Sequence, residues 1–309
     1  MRIAIFGGTS QIAKDFILAS SHFSNDEFIL FSRATKTVNY WLGENGLAGR
    51  HSAYDYVELE TSSPYDAIMN FVGVGDPAKA LEMGSAIFEV TEQYDQLAIN
   101  YLRRHPQCRY IFMSSGSAYL SDFKAPANTN TVSALQLNQM QNRDWYGISK
   151  MYAEARHRAN PQLAIIDIRI FNYFSHTQDM SAAYFMTQVT QSISNKIILQ
   201  TSPDPMVRDY LNPLDFYQLV SKILRSPVVN YAVDTYSKEP IDKAALLRAM
   251  ESSFGLQYQI SNNVSHPNAT GLKPFYYSED HSASRFGYEP QYSSLEGIER
   301  ELSLLFNKS

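Results

Sequence analysis

The sequence predicts an α/β protein built on a doubly wound parallel sheet, with a smaller second domain interleaved with it. Two observations support this fold class. Over the first half of the 309-residue chain, short β-branched and aromatic runs alternate with longer helix-like stretches, which is typical of parallel strands joined by helical crossovers. After Phe171 the alternation loosens, and proline and asparagine gather in Thr201–Pro205 and Ser261–Pro274. A second domain is therefore expected in this half.

Apolar runs place the elements in order along the chain. Arg2–Phe6 is a predicted buried strand, Gly7–Ser10 a tight turn and Gln11–Ser20 a helix. The other predicted elements of the first half are strands at Phe28–Phe31, Tyr56–Leu59, Asp66–Val72, Arg109–Met113 and Ile165–Ile170 and a helix at Phe88–Arg104.

Part of the second half is expected to return to the first domain. The segments expected to return are the strand Asn230–Val233 and the stretch Asp215–Leu224. The boundary between the domains is therefore interleaved rather than a single linker. We assign residues 1–172, together with 212–236, to the first domain. Residues 173–211 and 237–309 form the predicted second domain.

Composition excludes several classes of protein. Lys and Arg number 26 against 31 Asp and Glu, a net charge of −5 with no basic run, so the electrostatic footprint of nucleic-acid binding is missing. A lone Cys108 permits no internal disulfide, and the seven histidines show no zinc-site spacing. The N-terminal apolar stretch is too short for a signal peptide, and no later run approaches the ~18–20 residues of a membrane span. We expect a cytoplasmic protein without a metal, a membrane or a nucleic-acid partner.

The first candidate site is the turn between the first strand and the first helix. A dinucleotide pyrophosphate can lie there against free backbone N–H groups at the positive end of the helix dipole. Only Gly7 matches a glycine of the pattern G-x-x-G-x-x-G, since Ser10 and Ala13 take the other two places. An ordinary glycine-rich turn is the alternative interpretation. The candidate cofactor contacts in this turn are Gly7, Thr9, Ser10, Gln11 and Ile12.

The end of the second strand indicates which form of the cofactor is bound. An NAD site usually places an acidic residue there to bind the ribose 2′-OH, but this chain has Ser32 and Arg33, with Lys36 just beyond. A hydroxyl and two cations suit a 2′-phosphate, so NADP(H) is the preferred cofactor and NAD the alternative. A solvated arginine at a strand end would give the same pattern.

Two further motifs supply acid–base groups. Ser114–Tyr119 follows a predicted strand, at the sheet edge where open α/β folds place active sites, although serines there also cap turns. Tyr146 and Lys150 are four residues apart on a predicted helix and project from one face. An ammonium beside a phenol stabilises the phenolate, so this spacing predicts that Lys150 lowers the pKa of Tyr146 toward neutrality. Because the chain holds 21 tyrosines, a Y-x-x-x-K match alone is weak.

In this order, the motifs resemble the extended short-chain dehydrogenase/reductase family of NAD(P)-dependent enzymes that act on nucleotide-sugars. The glycine turn, Ser32-Arg33, the serines before Tyr119 and the Y-G-x-S-K motif at Tyr146 carry the first half of the resemblance. The later matches are Ile168–Asn172 to L-R-x-F-N, Arg208–Asp215 to R-D-Y-I-H-V-x-D, and Phe286–Pro290 with Ser294–Ile298 to the closing L-G-W-x-P and S-L-E-E-G-L patterns. The resemblance covers essentially the whole chain and implies a Rossmann-type sheet.

The resemblance also implies the catalytic roles. Tyr146 would be the acid–base residue, Lys150 would hold the nicotinamide ribose and tune Tyr146, and Ser115 would hydrogen-bond the substrate oxygen that gains or loses a proton. Members of the family commonly form dimers through the helix carrying Tyr146 and the helix before Arg109. A homodimer is therefore expected, although core packing explains the apolar faces of these helices equally well.

The remaining implied contacts concern cofactor and substrate. The segment Asn70–Gly73 stands where the family often has H-L-A-A, and it supplies Phe71 and Val72 as cofactor contacts, with Phe171 beside the nicotinamide. Asn172 would contact the nucleotide-sugar. Arg208 would grip its diphosphate, since a guanidinium pairs with phosphate in a bidentate manner. A salt link from Arg208 to Asp209 or Asp215 is the alternative.

Departures of this sequence from the family's motifs reduce the number of reactions that the resemblance implies. Its sugar 4,6-dehydratases follow their catalytic threonine with Asp-Glu, where this chain has Gly116 and Ser117, so dehydration is disfavoured. Epimerase–reductases that make GDP-fucose carry a cysteine at the place of Ser117, and a hydroxyl replaces a proton-shuttling thiol poorly. His176, near their histidine region, keeps this alternative open. The longer segment Asn128–Asn142 is expected to form a lid or an interface loop.

Ketone reduction and 4-epimerisation remain. An epimerase regenerates a tightly held NAD⁺, whereas a reductase consumes external hydride, most often from NADPH, so Arg33 favours reduction. The leading hypothesis is an NADPH-dependent reductase of a nucleotide-linked keto-sugar, with a nucleotide-sugar 4-epimerase as the alternative. A non-catalytic NADP(H)-binding sensor or scaffold is the alternative from another class. The set Ser115, Tyr146 and Lys150 argues against a sensor, because a sensor has no use for a tuned phenol.

Overall fold

The framework of the computed structural model, which describes residues 1–60, 63–262 and 273–307, is a seven-stranded parallel sheet. The strands are β1 Arg2–Phe6, β2 Glu27–Phe31, β3 Ser52–Tyr54, β4 Ala67–Asn70, β5 Arg109–Ser115, β6 Ile165–Ile170, β7 Asn172–Tyr173, β8 Leu199–Thr201, β9 Val207–Arg208, β10 Tyr210–Leu211, β11 Tyr231–Asp234, β12 Ile241–Asp242, β13 Tyr258–Ile260 and β14 Phe275–Tyr276. The large sheet has the order β3-β2-β1-β4-β5-β6-β11. Its strand order reverses between β1 and β4, the point where doubly wound sheets bind ligands.

The helices flank this sheet and form the second half of the molecule. They are α1 Gln11–Phe23, α2 Thr35–Glu44, α3 Pro77–Met83, α4 Ala86–Arg104, α5 Asn142–Arg158, α6 Phe185–Asn195, α7 Pro213–Arg225, α8 Lys243–Phe254 and α9 Ser294–Phe306. Short 3-10 turns lie at Tyr56–Glu58, Gly116–Tyr119, Leu137–Gln139 and Ser282–Phe286. Across the described ranges, no helix combines the length and apolar character needed to cross a membrane.

The two faces of the sheet bury separate cores, because side chains alternate along each strand. Ile3 and Ile5 of β1 pack toward α1 and α7, whereas Ala4 and Phe6 pack toward α4 and α5. Two of these elements come from the second half of the chain, since α7 packs against α1 and β11 pairs with β6. The predicted Rossmann-type architecture is therefore present.

One predicted strand is wrong. Residues Tyr56–Glu58 form a 3-10 turn, and the third strand precedes them at Ser52–Tyr54. The cause is local: the Asp55 carboxylate accepts a hydrogen bond from the Val57 N–H (3.1 Å), and the Glu58 carboxylate accepts one from the Asp55 N–H (3.3 Å). This reciprocal cap satisfies the N–H groups that a strand would have offered to the sheet.

A third core supports the second half of the chain. Phe174, Met186, Val189, Leu246 and Leu302 are among its buried residues. Beside it, β9 lies between β12 and β14, and β7 pairs with β10. The segment Ser261–Pro274, in which proline and asparagine gather, lies mostly outside the described residues. These small sheets bring the second half of the chain over the carboxyl ends of β5 and β6.

Candidate active site

A cavity of about 500 Å³ opens at the carboxyl ends of the central strands. Its walls come from the turn before α1, the segment after β4, the ends of β5 and β6, the first turns of α5, and the strands β9 and β14. Eleven of the residues predicted from the sequence line it. They are Ser10, Gln11, Ile12, Phe71, Val72, Ser115, Tyr146, Lys150, Phe171, Asn172 and Arg208.

The turn before α1 has the backbone geometry of an anion site. Gly7 has φ +79°, and a Cβ atom there would lie 3.0 Å from the Phe71 carbonyl carbon and 3.0 Å from the Val72 nitrogen, so only glycine allows this approach. Ser10 is the N-cap of α1 but makes no side-chain cap. The first N–H groups of the helix therefore remain available to a pyrophosphate. Thr9, predicted as a contact, is exposed and is not part of the cavity wall.

The end of β2 differs from its prediction in one respect. Ser32 is buried, and its hydroxyl accepts a hydrogen bond from the Ala34 N–H at 3.0 Å, so it shapes the turn instead of presenting an open ligand. Arg33 and Lys36 are exposed at the N-terminal end of α2 and lie outside the cavity wall. Their cationic groups remain available to an anion at the protein surface.

Tyr56 is a contact of the glycine turn that the sequence reading missed. Its hydroxyl accepts a hydrogen bond from the Gly7 N–H at 2.9 Å, and its ring packs against Phe6. The sequence predicts a strand at this residue, and the alternation of a strand does not indicate this contact. This hydrogen bond holds Gly7 in place at the start of the turn.

The catalytic set predicted from the sequence converges in the cavity. Ser115 ends β5 and caps the following 3-10 turn, with its Oγ accepting the Ser117 N–H at 3.2 Å. Tyr146 lines the same cavity as Ser115, and the Ser115 hydroxyl opposes the rise in the pKa of Tyr146. Helix α5 packs closely on the 3-10 turn after Ser115 because of Gly147, where a Cβ atom would lie 2.6 Å from the Ser117 carbonyl oxygen.

Lys150 does not act on Tyr146 as predicted. Its Nζ donates to the Met113 carbonyl oxygen at 2.8 Å and lies 5.9 Å from the centre of the Tyr146 ring. Burial lowers the pKa of Lys150 to about 8, against the opposing charges of Asp95, Glu154 and Asp167.

The pKa of Tyr146 is shifted in the opposite direction, upward. Burial, with a smaller effect of the Tyr276 phenol, raises the pKa of Tyr146 to about 12. The prediction of a pKa near neutrality is therefore wrong, because desolvation of the phenolate outweighs the distant ammonium. At neutral pH Tyr146 holds its proton, which suits a general acid.

Tyr276 is a further residue of the reacting centre that the sequence did not reveal. It lies on β14, and its hydroxyl is 3.2 Å from Ser115 Oγ and 3.1 Å from Ser117 Oγ. Its ring packs against Phe123 and Phe171, with centroids 4.8 and 5.3 Å apart. Among so many tyrosines, no motif distinguishes this one, because only the folding of the second half brings it to Ser115.

Phe171 lines the cavity and packs closely against Gly116. A Cβ atom on Gly116 would lie 2.4 Å from two carbons of the Phe171 ring. Any side chain at this position would therefore require the Phe171 ring to move.

The opposite wall is cationic. The Nη1 atom of Arg208 donates to the carbonyl oxygens of Val207, Lys273 and Pro274 at 2.8, 2.9 and 3.3 Å. Within the described residues no carboxylate pairs with it, so the predicted alternative of a salt link is wrong. Lys273, another residue missed from the sequence, also lines the cavity. Burial and the nearby Arg208 charge lower the pKa of Lys273 to about 8.

Two predicted contacts have different roles. Asn172 lines the cavity, but its Nδ2 donates to the carbonyl oxygens of Asp209 (3.3 Å) and Tyr276 (3.0 Å), so its amide holds β14 next to β7.

His176 is outside the cavity wall, and its Nδ1 lies 2.7 Å from the buried Glu301 carboxylate. An epimerase–reductase role for His176 is therefore unsupported. Over the described ranges, no cluster of His, Cys, Asp and Glu could hold a metal.

A model of the NAD dependent epimerase/dehydratase family matches residues 3–236. The chain belongs to this family. It is thus an enzyme of the NAD(P)-dependent oxidoreductase/epimerase type, and the resemblance found in the sequence is confirmed. Comparison with curated proteins gave no significant match.

Solved structures of similar fold cover the whole chain. The UDP-glucose-4-epimerase of Stenotrophomonas maltophila, with bound NAD and formylated UDP-arabinopyranose, has 14% identity and a TM-score of 0.80, covering 100% of this chain and 98% of that one. The UDP-glucose 4-epimerase of Bifidobacterium longum, with NAD⁺ and UDP, has 16% identity and a TM-score of 0.77, covering 100% and 99%. The dTDP-glucose 4,6-dehydratase of Bacillus anthracis, with NAD, has 14% identity and a TM-score of 0.78, covering 100% and 97%. At these identities the likeness establishes the fold.

Proposed function

We propose that this enzyme uses NADPH to reduce the ketone of a nucleotide-linked keto-sugar. The observation that carries the choice of cofactor is the end of β2. Residues 32–36 contain no carboxylate, and Arg33 and Lys36 are exposed there. An NAD site usually binds the ribose diol through an acidic residue at this place, whereas exposed cations pair with a 2′-phosphate.

The residues present fit a dinucleotide. Free N–H groups of Gln11 and Ile12 at the start of α1 would hold the pyrophosphate, whereas the Ser10 N–H donates to the Gly7 carbonyl oxygen at 2.8 Å. Phe71, Val72 and Lys150 would flank the nicotinamide half. Phe171 forms part of the same wall. When bound, the cofactor supplies the hydride.

The chain's own groups handle the proton and the substrate oxygen. Tyr146 donates its phenolic proton to the oxygen of the ketone, as its raised pKa allows at neutral pH. Ser115 orients that oxygen through its hydroxyl. Lys150 carries a positive charge below about pH 8 and would hold the nicotinamide ribose.

Arg208 and Lys273 favour a nucleotide diphosphate as the handle of the substrate. Both cations line the cavity, and only carbonyl oxygens engage the Arg208 guanidinium in the contacts described above. Solved relatives of the same fold bind UDP and UDP-sugars. In this proposal residues 173–211 and 237–309 form the substrate-binding part, with Asn172 holding β14 in place.

A nucleotide-sugar 4-epimerase is the second candidate. The solved structures of similar fold include several 4-epimerases with bound NAD, and epimerisation needs the same Ser115, Tyr146 and Lys150. A cytoplasmic homodimer through α4 and α5 belongs to either proposal, and a monomeric mass by sedimentation at micromolar concentration would contradict it.

One experiment separates these functions. The purified protein is titrated with NADPH and with NAD⁺ while nicotinamide fluorescence is followed, and UDP-linked and dTDP-linked 4-keto-sugars are then added. Exchangeable NADPH that is oxidised by a keto-sugar supports the reductase. Retained NAD⁺ with interconversion of 4-epimers supports the epimerase. NADPH binding without turnover of any sugar supports a sensor.

A further inference from the structure

A buried carboxylate on α1 takes no part in the proposed reaction. Asp15 is only 6% exposed. Its Oδ1 accepts a hydrogen bond from the Thr177 hydroxyl at 2.6 Å, and its Oδ2 accepts one from the Tyr173 hydroxyl at 2.9 Å. Both donors belong to the part of the chain that we propose to bind the substrate, whereas α1 begins at the proposed pyrophosphate site. Asp15 therefore joins the two binding regions.

A second contact ties the start of the same helix to the same segment. Gln11, the first residue of α1, donates from its Nε2 to Ser175 Oγ at 2.7 Å. Ser175 Oγ in turn lies 3.0 Å from Thr177 Oγ1. Because the single hydrogen of the Thr177 hydroxyl is directed to Asp15, the Ser175 hydroxyl donates to Thr177. The hydrogen bonds therefore run in one direction, from Gln11 through Ser175 and Thr177 to Asp15.

These four residues form a bridge, here called the α1 bridge, which leaves α1 at Gln11 and returns to it one helical turn later at Asp15. We propose that the α1 bridge couples the two ligands, so that a cofactor at the start of α1 strengthens the binding of the nucleotide diphosphate, and the diphosphate strengthens the binding of the cofactor by the same factor. This inference rests on the proposed function. Asp15, Ser175 and Thr177 are outside the cavity wall, so they are positioning residues.

The two sides of the α1 bridge lie beside the two ligands. On the cofactor side, the free N–H of Gln11 would hold the pyrophosphate while its side chain holds Ser175. On the substrate side, Tyr173 and Gln178 line the cavity, and β7 pairs with β10, the strand that follows Arg208. A ligand that fixes one side also orders the other, so the second ligand meets a segment that is already in place and binds more tightly.

The test compares two substitutions of Thr177. Thr177→Val keeps the shape of the side chain and removes the hydroxyl between Ser175 and Asp15, whereas Thr177→Ser keeps the hydroxyl and is the matched control. The Kd of NADPH is measured by nicotinamide fluorescence without and with saturating UDP, which carries the diphosphate but no sugar to meet the nicotinamide. We expect UDP to lower this Kd about 5-fold to 150-fold in the wild type and in Thr177→Ser, and by less than about twofold in Thr177→Val.

The ratio of the two Kd values separates coupling from structural support alone. Loss of a structural contact weakens each ligand by itself and leaves the ratio unchanged. A wild-type ratio retained in Thr177→Val would therefore overturn the proposal. A wild-type protein that binds both ligands with a ratio of one would overturn it as well.

Hydrogen exchange gives a second readout, which needs no nucleotide diphosphate. The backbone N–H groups of residues 176–178 all donate hydrogen bonds. NADPH should slow their exchange in the wild type and in Thr177→Ser, and leave it unchanged in Thr177→Val. Slowing that persists in Thr177→Val would count against the α1 bridge, because the cofactor would then act on this segment by another route.

Failure of the α1 bridge is distinguishable from failure of the proposed reductase. Neither measurement requires turnover, so an enzyme that oxidises no NADPH with any keto-sugar loses the proposed reaction, while the Kd ratio still decides the bridge. If NAD⁺ binds and NADPH does not, the same titrations are followed by calorimetry with NAD⁺, since both cofactors carry the pyrophosphate; dTDP or GDP replaces UDP where it binds more tightly. A protein that binds neither cofactor, or none of the three diphosphates, would overturn both proposals.

Discussion

The two ends of the proposed ligand site are built in opposite ways. At the reacting end, Ser115 and Tyr276 are joined by a hydrogen bond, and Lys150 is fixed on a carbonyl oxygen. At the end of β2, by contrast, Arg33 is solvent-exposed. Chemistry requires groups held in place before the substrate arrives, whereas discrimination between two cofactors needs only a charge within reach. Substitutions at the two ends should therefore change different quantities.

The largest effect is expected from Tyr146→Phe. Loss of the general acid should lower kcat by about 10²-fold to 10⁴-fold, while the Kd for NADPH changes little, because the phenol is needed for the reaction and not for binding. Steady-state NADPH oxidation and fluorescence titration measure the two quantities. Tyr152→Phe on the exposed side of the same helix is the control. A comparable loss of NADPH affinity would show that Tyr146 acts in binding.

Gly116→Ala should have the next largest effect, through packing. The new methyl group would lie 2.4 Å from the Phe171 ring, so the ring must move, at a cost of about 1–3 kcal/mol in the free energy of unfolding. Activity should fall with it, because Phe171 also contacts Tyr276.

Gly49→Ala is the matched control for this substitution, because a Cβ atom at Gly49 meets nothing within 4 Å. Chemical denaturation of both variants measures the difference. Equal stability of the two would contradict the close contact between Gly116 and Phe171.

Distance along the chain decides which residues of the site the sequence could predict. Residues close together in sequence, such as Tyr146 and Lys150, share a helix face, and their presence in the site follows from local periodicity. Tyr276 and Lys273 reach the site only through the pairing of β14 with β9, which no local pattern encodes.

Two errors show where a sequence pattern lacks physical information. The spacing of Tyr146 and Lys150 predicts proximity but not burial, and burial decides the direction of the Tyr146 pKa. The residues after Asp55 have β propensity, yet the Asp55 cap turns them into a 3-10 turn. The exposed cations Arg33 and Lys36, in contrast, were found from the sequence, because a strand end and a missing carboxylate suffice to locate them.

Arg33→Asp, at the end of β2, should reverse the preference of the enzyme for NADPH over NADH. Loss of a charged contact to a 2′-phosphate costs about 1.5–3 kcal/mol, which corresponds to a roughly 10-fold to 150-fold higher KM for NADPH. The new carboxylate should lower the KM for NADH, and kcat should stay within about twofold, since the proton-transfer groups are untouched. Arg248→Asp, an exposed residue on α8, is the charge-matched control. An unchanged ratio of the two KM values would remove the basis for NADPH preference.

The smallest effect is a pH dependence set by Lys150. Burial lowers its pKa to about 8 in the folded protein, although Asp95, Glu154 and Asp167 oppose the shift. The ammonium is therefore present below about pH 8 and is lost as the pH rises through that value, so kcat/KM should fall about tenfold for each unit above it. Lys150→Arg keeps the charge at high pH, and its profile should lose this alkaline limb whatever its absolute rate. If the limb persists in Lys150→Arg, it belongs to another group of the cavity, of which Lys273 has a similarly lowered pKa.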